Sequence, residues 1–230
     1  MDRSTVALLR ELELADADLA ASLAEHDNLA EHVENVRQRA LELEAFLARL
    51  PEERARVRTS VDEARREEAD ARQALAAAES ASTTAEAGAD PARLRAARHA
   101  LQTAQDLHHL AERRLADARE EAAALEQLAA ASSRTEEQLQ ASARGLATAL
   151  RGRPRVAEAA SAPPPPGLAG VREWAGTARA ALFVSRGGLA RERETVVRQA
   201  NELGAAMLGE PLVAVSAAAV ARRVERELDA

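Results

Sequence analysis

Residues 82–94 read STTAEAGADPARL: small and polar, with one glycine, and with an Asp90-Pro91 pair at the point where leucines resume. Such a stretch is either a slack linker between two helical domains or the tip of one hairpin. The apolar pattern on its two sides decides between them.

Before it, apolar residues recur at alternating gaps of four and three. One set runs from Leu8 through Leu29, Leu43 and Val57 to Ala78, and the interleaved set from Leu12 through Val33, Leu47 and Val61 to Leu75. The phase holds for about ten heptads, which predicts a left-handed coiled coil. Pro51 is the one breaker; the heptad passes through it unchanged, so a kinked or locally interrupted helix is expected there. After the stretch, Leu94, Leu101, His108 and Leu115 open a second seam, interleaved with Ala97, Ala104, Ala111 and Ala118. In an antiparallel pair the numbers of facing residues share a constant sum. Leu75 with Ala97 and Ala78 with Leu94 both give 172, which centres the reversal on Glu86. At that sum large faces small: Ala71 meets Leu101, Val57 meets Leu115, and Leu50 meets Ala122. The expected fold is all-α: a long antiparallel coiled-coil helical hairpin over 1–151, with helices over 4–81 and 91–150 and a turn over 82–90. In that turn Gly88 supplies a left-handed residue, and Asp90-Pro91 caps and restarts the helix. A dimer using the same seams is the rival arrangement.

Composition agrees with this architecture. Aromatics are 1% of the chain, so the largest core anchors are scarce, while 47% hydrophobic and 30% charged residues suit narrow seams flanked by Glu and Arg. There is no cysteine and no lysine, which excludes thiolate chemistry, a P-loop lysine and a Schiff base. The arginine-only basic set fits a GC-rich, bacterial-like coding bias. No apolar run spans a membrane, and residues 1–20 carry five acids, unlike a signal peptide; a cytoplasmic protein is expected.

Residues 152–167 form a Pro/Ala-rich linker, expected to be an extended spacer. A small helical cap over 168–230 follows. Its first helix carries Trp174 and is expected to stop at Arg186-Gly187-Gly188; its second runs from Leu189 to Gly209. Ser216 caps a last helix carrying Val220, Val224 and Leu228. With only two aromatics the cap needs a surface to dock on: the stalk base, where residues 1–21 are the natural strip, a second subunit or another protein. Charge points the same way: residues 1–34 carry nine acids against two arginines, and residues 140–198 carry ten arginines against four glutamates.

No nucleophile motif, Gly-rich phosphate loop or paired acid is present, so an enzyme is not expected, nor a cofactor. Asp106 and His109 are the nearest approach to a metal-binding pair, and no metal is expected. His26 and His108 fall on the seam, opposite Leu146 and Ala64 at the sum of 172, where they fix register. The heptads and hairpin resemble the stalks of SMC-like chromosome-maintenance proteins, without an ATPase motif. The expected function is that of a non-enzymatic coiled-coil scaffold, an SMC-like or cytoskeletal-type accessory that binds a protein partner or forms a homodimer through its base and cap. Candidate interaction residues are Arg144, Arg151, Arg153, Arg155, Trp174, Phe183, Arg186, Arg191, Arg193 and Arg198. The alternative is a nucleic-acid-associated protein using the Arg-rich stretch 140–198. Peripheral membrane association through the C-terminal helices is a third reading.

Overall fold

A computed structural model describes residues 3–88, 90–153 and 155–228. The side chain of Leu228, expected on the inner face of the last helix, lies outside the described residues. The protein is all-α: α1 (Arg3–Ala87), α2 (Pro91–Leu150), α3 (Glu158–Ser161), α4 (Leu168–Leu208) and α5 (Ala217–Leu228), with no strand among the described residues. None of these helices is long and apolar enough to cross a membrane. The chain divides into two compact units, Leu43–Thr135 and the pair of segments Met1–Glu42 and Glu136–Ala230.

In the unit Leu43–Thr135, the end of α1 and the start of α2 run antiparallel. Arg54 bonds Glu126 through Nε and Nη2 at 2.9 and 2.6 Å, and Arg114 bonds Glu67 at 2.9 Å. Arg56 meets Glu121 at 3.3 Å and Arg98 meets Glu86 at 3.7 Å. Between these flanks lies a narrow apolar seam, in which buried Ala64, Leu115 and Ala118 cluster and Val61 packs against them. Ala64 with Leu115, and Val61 with Ala118, give a sum of 179 rather than the expected 172. The expected seam residues are used, but slipped by one heptad.

The cause of the slip is visible at the tip. α1 does not end at residue 81 but continues to Ala87, because its polar side chains are satisfied within the helix. Thr83 Oγ1 donates to the Glu79 carbonyl and Thr84 Oγ1 to the Ser80 carbonyl, each at 2.9 Å. Ser82, seven residues past Leu75 and so in phase with the seam, is 6% exposed. The reversal is thereby compressed between Ala87 and Pro91, so its centre lies beyond Glu86. Moving the centre by half a heptad moves the sum by seven. Gly88 does not adopt the left-handed backbone expected of it. Asp90 does cap α2: its Oδ1 accepts from Ala92 N at 3.0 Å, with Pro91 at the first helical position. Pro51 is accommodated inside an uninterrupted α1.

The other unit is a bundle. α4 is one helix of 41 residues, so the expected stop at Arg186-Gly187-Gly188 is not a stop. Two interior glycines cost about 1 kcal/mol each against alanine. The inner face around them, Leu182, Ser185 and Leu189, is buried and holds the helix together. The true terminus is Gly209, left-handed at φ 73°, whose N–H bonds the Ala205 carbonyl at 2.9 Å. Ser216 caps α5 through Ala219 N at 3.2 Å.

The proline-rich segment is not a free spacer. It contains α3, and Trp174 Nε1 donates to the Ala160 carbonyl at 3.1 Å. Pro164 is buried. Gln140 clasps the chain beyond it, donating to the Pro165 carbonyl at 2.9 Å and accepting from Gly167 N at 3.0 Å. A β-carbon on Gly170 would stand 2.4 Å from the Pro165 carbonyl oxygen, so the segment lies directly on the first turn of α4.

Candidate interaction surface

Three arginines spaced by seven, Arg179, Arg186 and Arg193, form a stripe on α4 and meet three acids of α1 in reverse order. Arg179 lies 3.3 Å from Glu34. Arg186 forks onto Asp27 at 2.5 and 3.3 Å, and the hydrogen bond and then the charge of Asp27 raise the guanidinium pKa above its ordinary value. Arg193 Nε donates to Asp16 Oδ1 at 2.8 Å. Three residues past the end of α2, Arg153 pairs with Glu25. The acidic start of the chain and its basic later stretch thus meet one another, as the charge distribution suggested.

Asp16 has a second task. Its other oxygen accepts from Ala217 N, the first amide of α5, at 2.9 Å, so one buried carboxylate ties α1 to both α4 and α5. Around this knot Leu9 packs with Ala200, Ala217, Val220, Ala221 and Val224. This apolar cluster lies on the strip 1–21. Asn201 pins the connection between α4 and α5, donating to the Ala214 carbonyl at 3.0 Å and accepting from Ala214 N at 2.7 Å.

His26 does not face Leu146 across a two-helix seam. Its Nε2 lies 2.9 Å from Ser185 Oγ on α4, and its Nδ1 lies 2.8 Å from the Ser22 carbonyl oxygen. A carbonyl can only accept, so Nδ1 carries a proton, and Nε2 shares a hydrogen bond with the Ser185 hydroxyl. A serine hydroxyl on an imidazole nitrogen is the geometry of a nucleophile and its base. Here both residues are 1% exposed, so the pair presents no face to a substrate and serves as a polar tie between α1 and α4.

The ten candidate residues separate into three groups. Trp174 is buried and belongs to the core. Arg153, Arg186 and Arg193 join α1, while Arg155 pairs with Glu192 at 2.7 Å and Arg198 with Glu202 at 3.0 Å. Arg155 reaches Glu192 by lying across Gly188, whose hypothetical β-carbon would stand 3.3 Å from the arginine Cδ. Arg144, Arg151, Arg191 and Phe183 are left on the surface. Arg144 donates to the Gln140 carbonyl of its own helix, and among the described residues Arg144, Arg151 and Arg191 hold no ion pair. Phe183 is 79% exposed and its neighbour Val184 68%. Val184, Gly188, Arg191 and Thr195 line a shallow groove with Arg155 and Glu192.

Sequence reasoning did not find Gln140, Asn201 or Ser185. Each is one polar residue in a helix, and its importance comes from what lies opposite in space. Asp16 was visible only as one of nine acids; its burial marks it out. No family model, curated protein or solved structure matches this chain. What the fold defines is an all-α protein whose bundle is cross-tied by charge.

Proposed function

We propose that this chain is a non-enzymatic coiled-coil scaffold, cytoplasmic, that self-associates through the exposed apolar pair on α4. The coiled coil is supported by the seven-residue spacing of buried Leu50, Val57 and Ala64 on α1 and of Ala104, Ala111 and Ala118 on α2. The observation that carries the interaction is Phe183 beside Val184, at 79% and 68% exposure, on a helix whose other large apolar side chains are largely covered. An exposed phenyl ring is a typical interface anchor, and here it stands on a helix braced by three arginine–acid pairs. An accessory role of SMC-like or cytoskeletal type fits such an object.

Sedimentation equilibrium tests the proposal. The wild-type chain is expected to be a homodimer at micromolar concentration, and Phe183→Asp a monomer with an unchanged circular dichroism spectrum. A wild-type chain that is monomeric throughout would refute self-association. The nucleic-acid reading is less well supported, because five of the eight candidate arginines already hold carboxylates. A gel shift with duplex DNA at low salt, competed by added salt, would revive it.

A further inference from the structure

We propose that His108, His109 and Glu112 of α2 bind a divalent transition metal of zinc's chemical class, with Glu68 of α1 orienting His108. The helix spacing brings the three together, because Glu112 lies four residues after His108 and three after His109, one turn along the same surface. Glu112 Oε2 stands 3.3 Å from His109 Nδ1 and 3.6 Å from His108 Nδ1. One donor atom of each residue lies within 4.8 Å of the others. Zinc bonds of the usual length in a tetrahedral shell set neighbouring donor atoms about 3.3–3.4 Å apart, so the two measured gaps need little closure. The imidazole rings sit edge to face, with centroids 6.1 Å apart and planes at 65°.

The second observation lies across the seam. His108 Nε2, the nitrogen turned away from Glu112, is 3.7 Å from Glu68 Oε1. Arg72 Nη2 holds that same oxygen at 2.6 Å. A metal on Nδ1 requires the ring proton on Nε2, and the negative charge of a carboxylate 3.7 Å from Nε2 favours that tautomer. The side chains of His108 and Glu68 are 14% and 13% exposed, whereas those of His109 and Glu112 are 71% and 50% exposed. One half of the arrangement is therefore held and the other is open to an arriving ion, with water free to complete the shell. Two imidazoles and one carboxylate favour zinc, copper or nickel over magnesium and calcium, which take oxygen ligands. The pair read from the sequence was Asp106 with His109, but Asp106 instead accepts from Gln102 at 3.2 Å.

Isothermal titration calorimetry of the untagged full-length chain with zinc chloride, in a non-coordinating buffer, tests the site. One zinc per chain is expected and no heat with magnesium. His109→Ala and Glu112→Ala should each weaken zinc binding by at least ~10-fold, and both positions are exposed enough to leave folding intact. Glu68→Gln should weaken it by about 10-fold without changing stoichiometry, the mark of a positioning residue. His99→Ala, on the same helix, should bind like wild type. Absent zinc heat in the wild type, wild-type affinity in His109→Ala, or loss of binding in His99→Ala would overturn the site. Unchanged affinity in Glu68→Gln would overturn the orienting role.

Discussion

The unit Leu43–Thr135 and the bundle built from Met1–Glu42 and Glu136–Ala230 use the same few residue types, yet they specify their packing differently. In the first, Val61, Ala64, Leu115 and Ala118 repeat a motif found above and below them, and a slide of seven residues offers nearly the same contacts. In the second, the decisive contacts are singular: Asp16 on Arg193 and Ala217, His26 on Ser185, Trp174 on Ala160, Asn201 on Ala214. A slide of α1 by seven residues would break the ties of Asp16 to Ala217 and of His26 to Ser185. A repeating seam fixes which face is buried; unique polar contacts and the tip fix where along the seam it locks.

The sharpest test of that difference is all-or-none. The chain has no cysteine, so an engineered pair reports register without background. Ala64→Cys with Leu115→Cys should cross-link within one chain under mild oxidation, because both side chains belong to one buried cluster. Val57→Cys with Leu115→Cys, the pair demanded by a sum of 172, should not. Efficient closure of the second pair alone would restore the register at a sum of 172 and break the comparison.

Three alanine substitutions in the bundle follow, with declining effect. Trp174→Ala removes a side chain that is 4% exposed, with its bond to the Ala160 carbonyl, and should cost about 3–5 kcal/mol in urea denaturation. Asp16→Ala should cost about 2–4 kcal/mol, since it strands Arg193 and uncaps α5 together. Asp16→Asn, which keeps an oxygen for Ala217, should recover part of that loss. Gly204→Ala should cost about 1 kcal/mol net: its β-carbon would stand 2.5 Å from Val220 Cγ1 and 2.7 Å from Leu212 Cδ1, a strain partly offset by better helix propensity. If all three matched alanine substitutions at exposed seam-flanking sites, the bundle would not be the specifically locked region.

The legibility of the fold follows the same line. The helices, the seam faces and the cap at Asp90-Pro91 could be read because each rests on local chemistry or on period. The heptad slip could not, because sums of 172 and 179 place the same residue types on the same faces; only the persistence of α1 through Thr83 and Thr84 distinguishes them. The false stop at Gly187-Gly188 arose because glycine pairs weaken a helix, but burial of Leu182, Ser185 and Leu189 outweighs that weakness. The sign of the charge complementarity was legible from composition alone. Its partners were not, because pairing Asp27 with Arg186 requires knowing that α4 runs unbroken beside α1.

The smallest expected effect concerns the flank of the repeating seam, where Arg54 forks onto Glu126. The hydrogen bond from Arg54 lowers the Glu126 carboxyl pKa below its ordinary 4.5, against a smaller opposing effect of burial and with help from the charges of Arg54 and Arg58. A carboxylate whose folded pKa is depressed binds its proton more readily when unfolded. Its contribution to stability is therefore fully present above the ordinary value and is lost as pH falls through the lowered one. Glu126→Gln should melt slightly below wild type near pH 6, and the two should converge as the pH falls below the lowered pKa, where the wild-type side chain is also neutral. Both partners are solvent-exposed, so the gap should be small and should shrink further in high salt. A gap that widens on acidification would mean that Glu126 is held by something other than Arg54. A gap as large as that of Asp16→Ala would mean that the seam's flanks, like the bundle's interior, hold register by individual contacts.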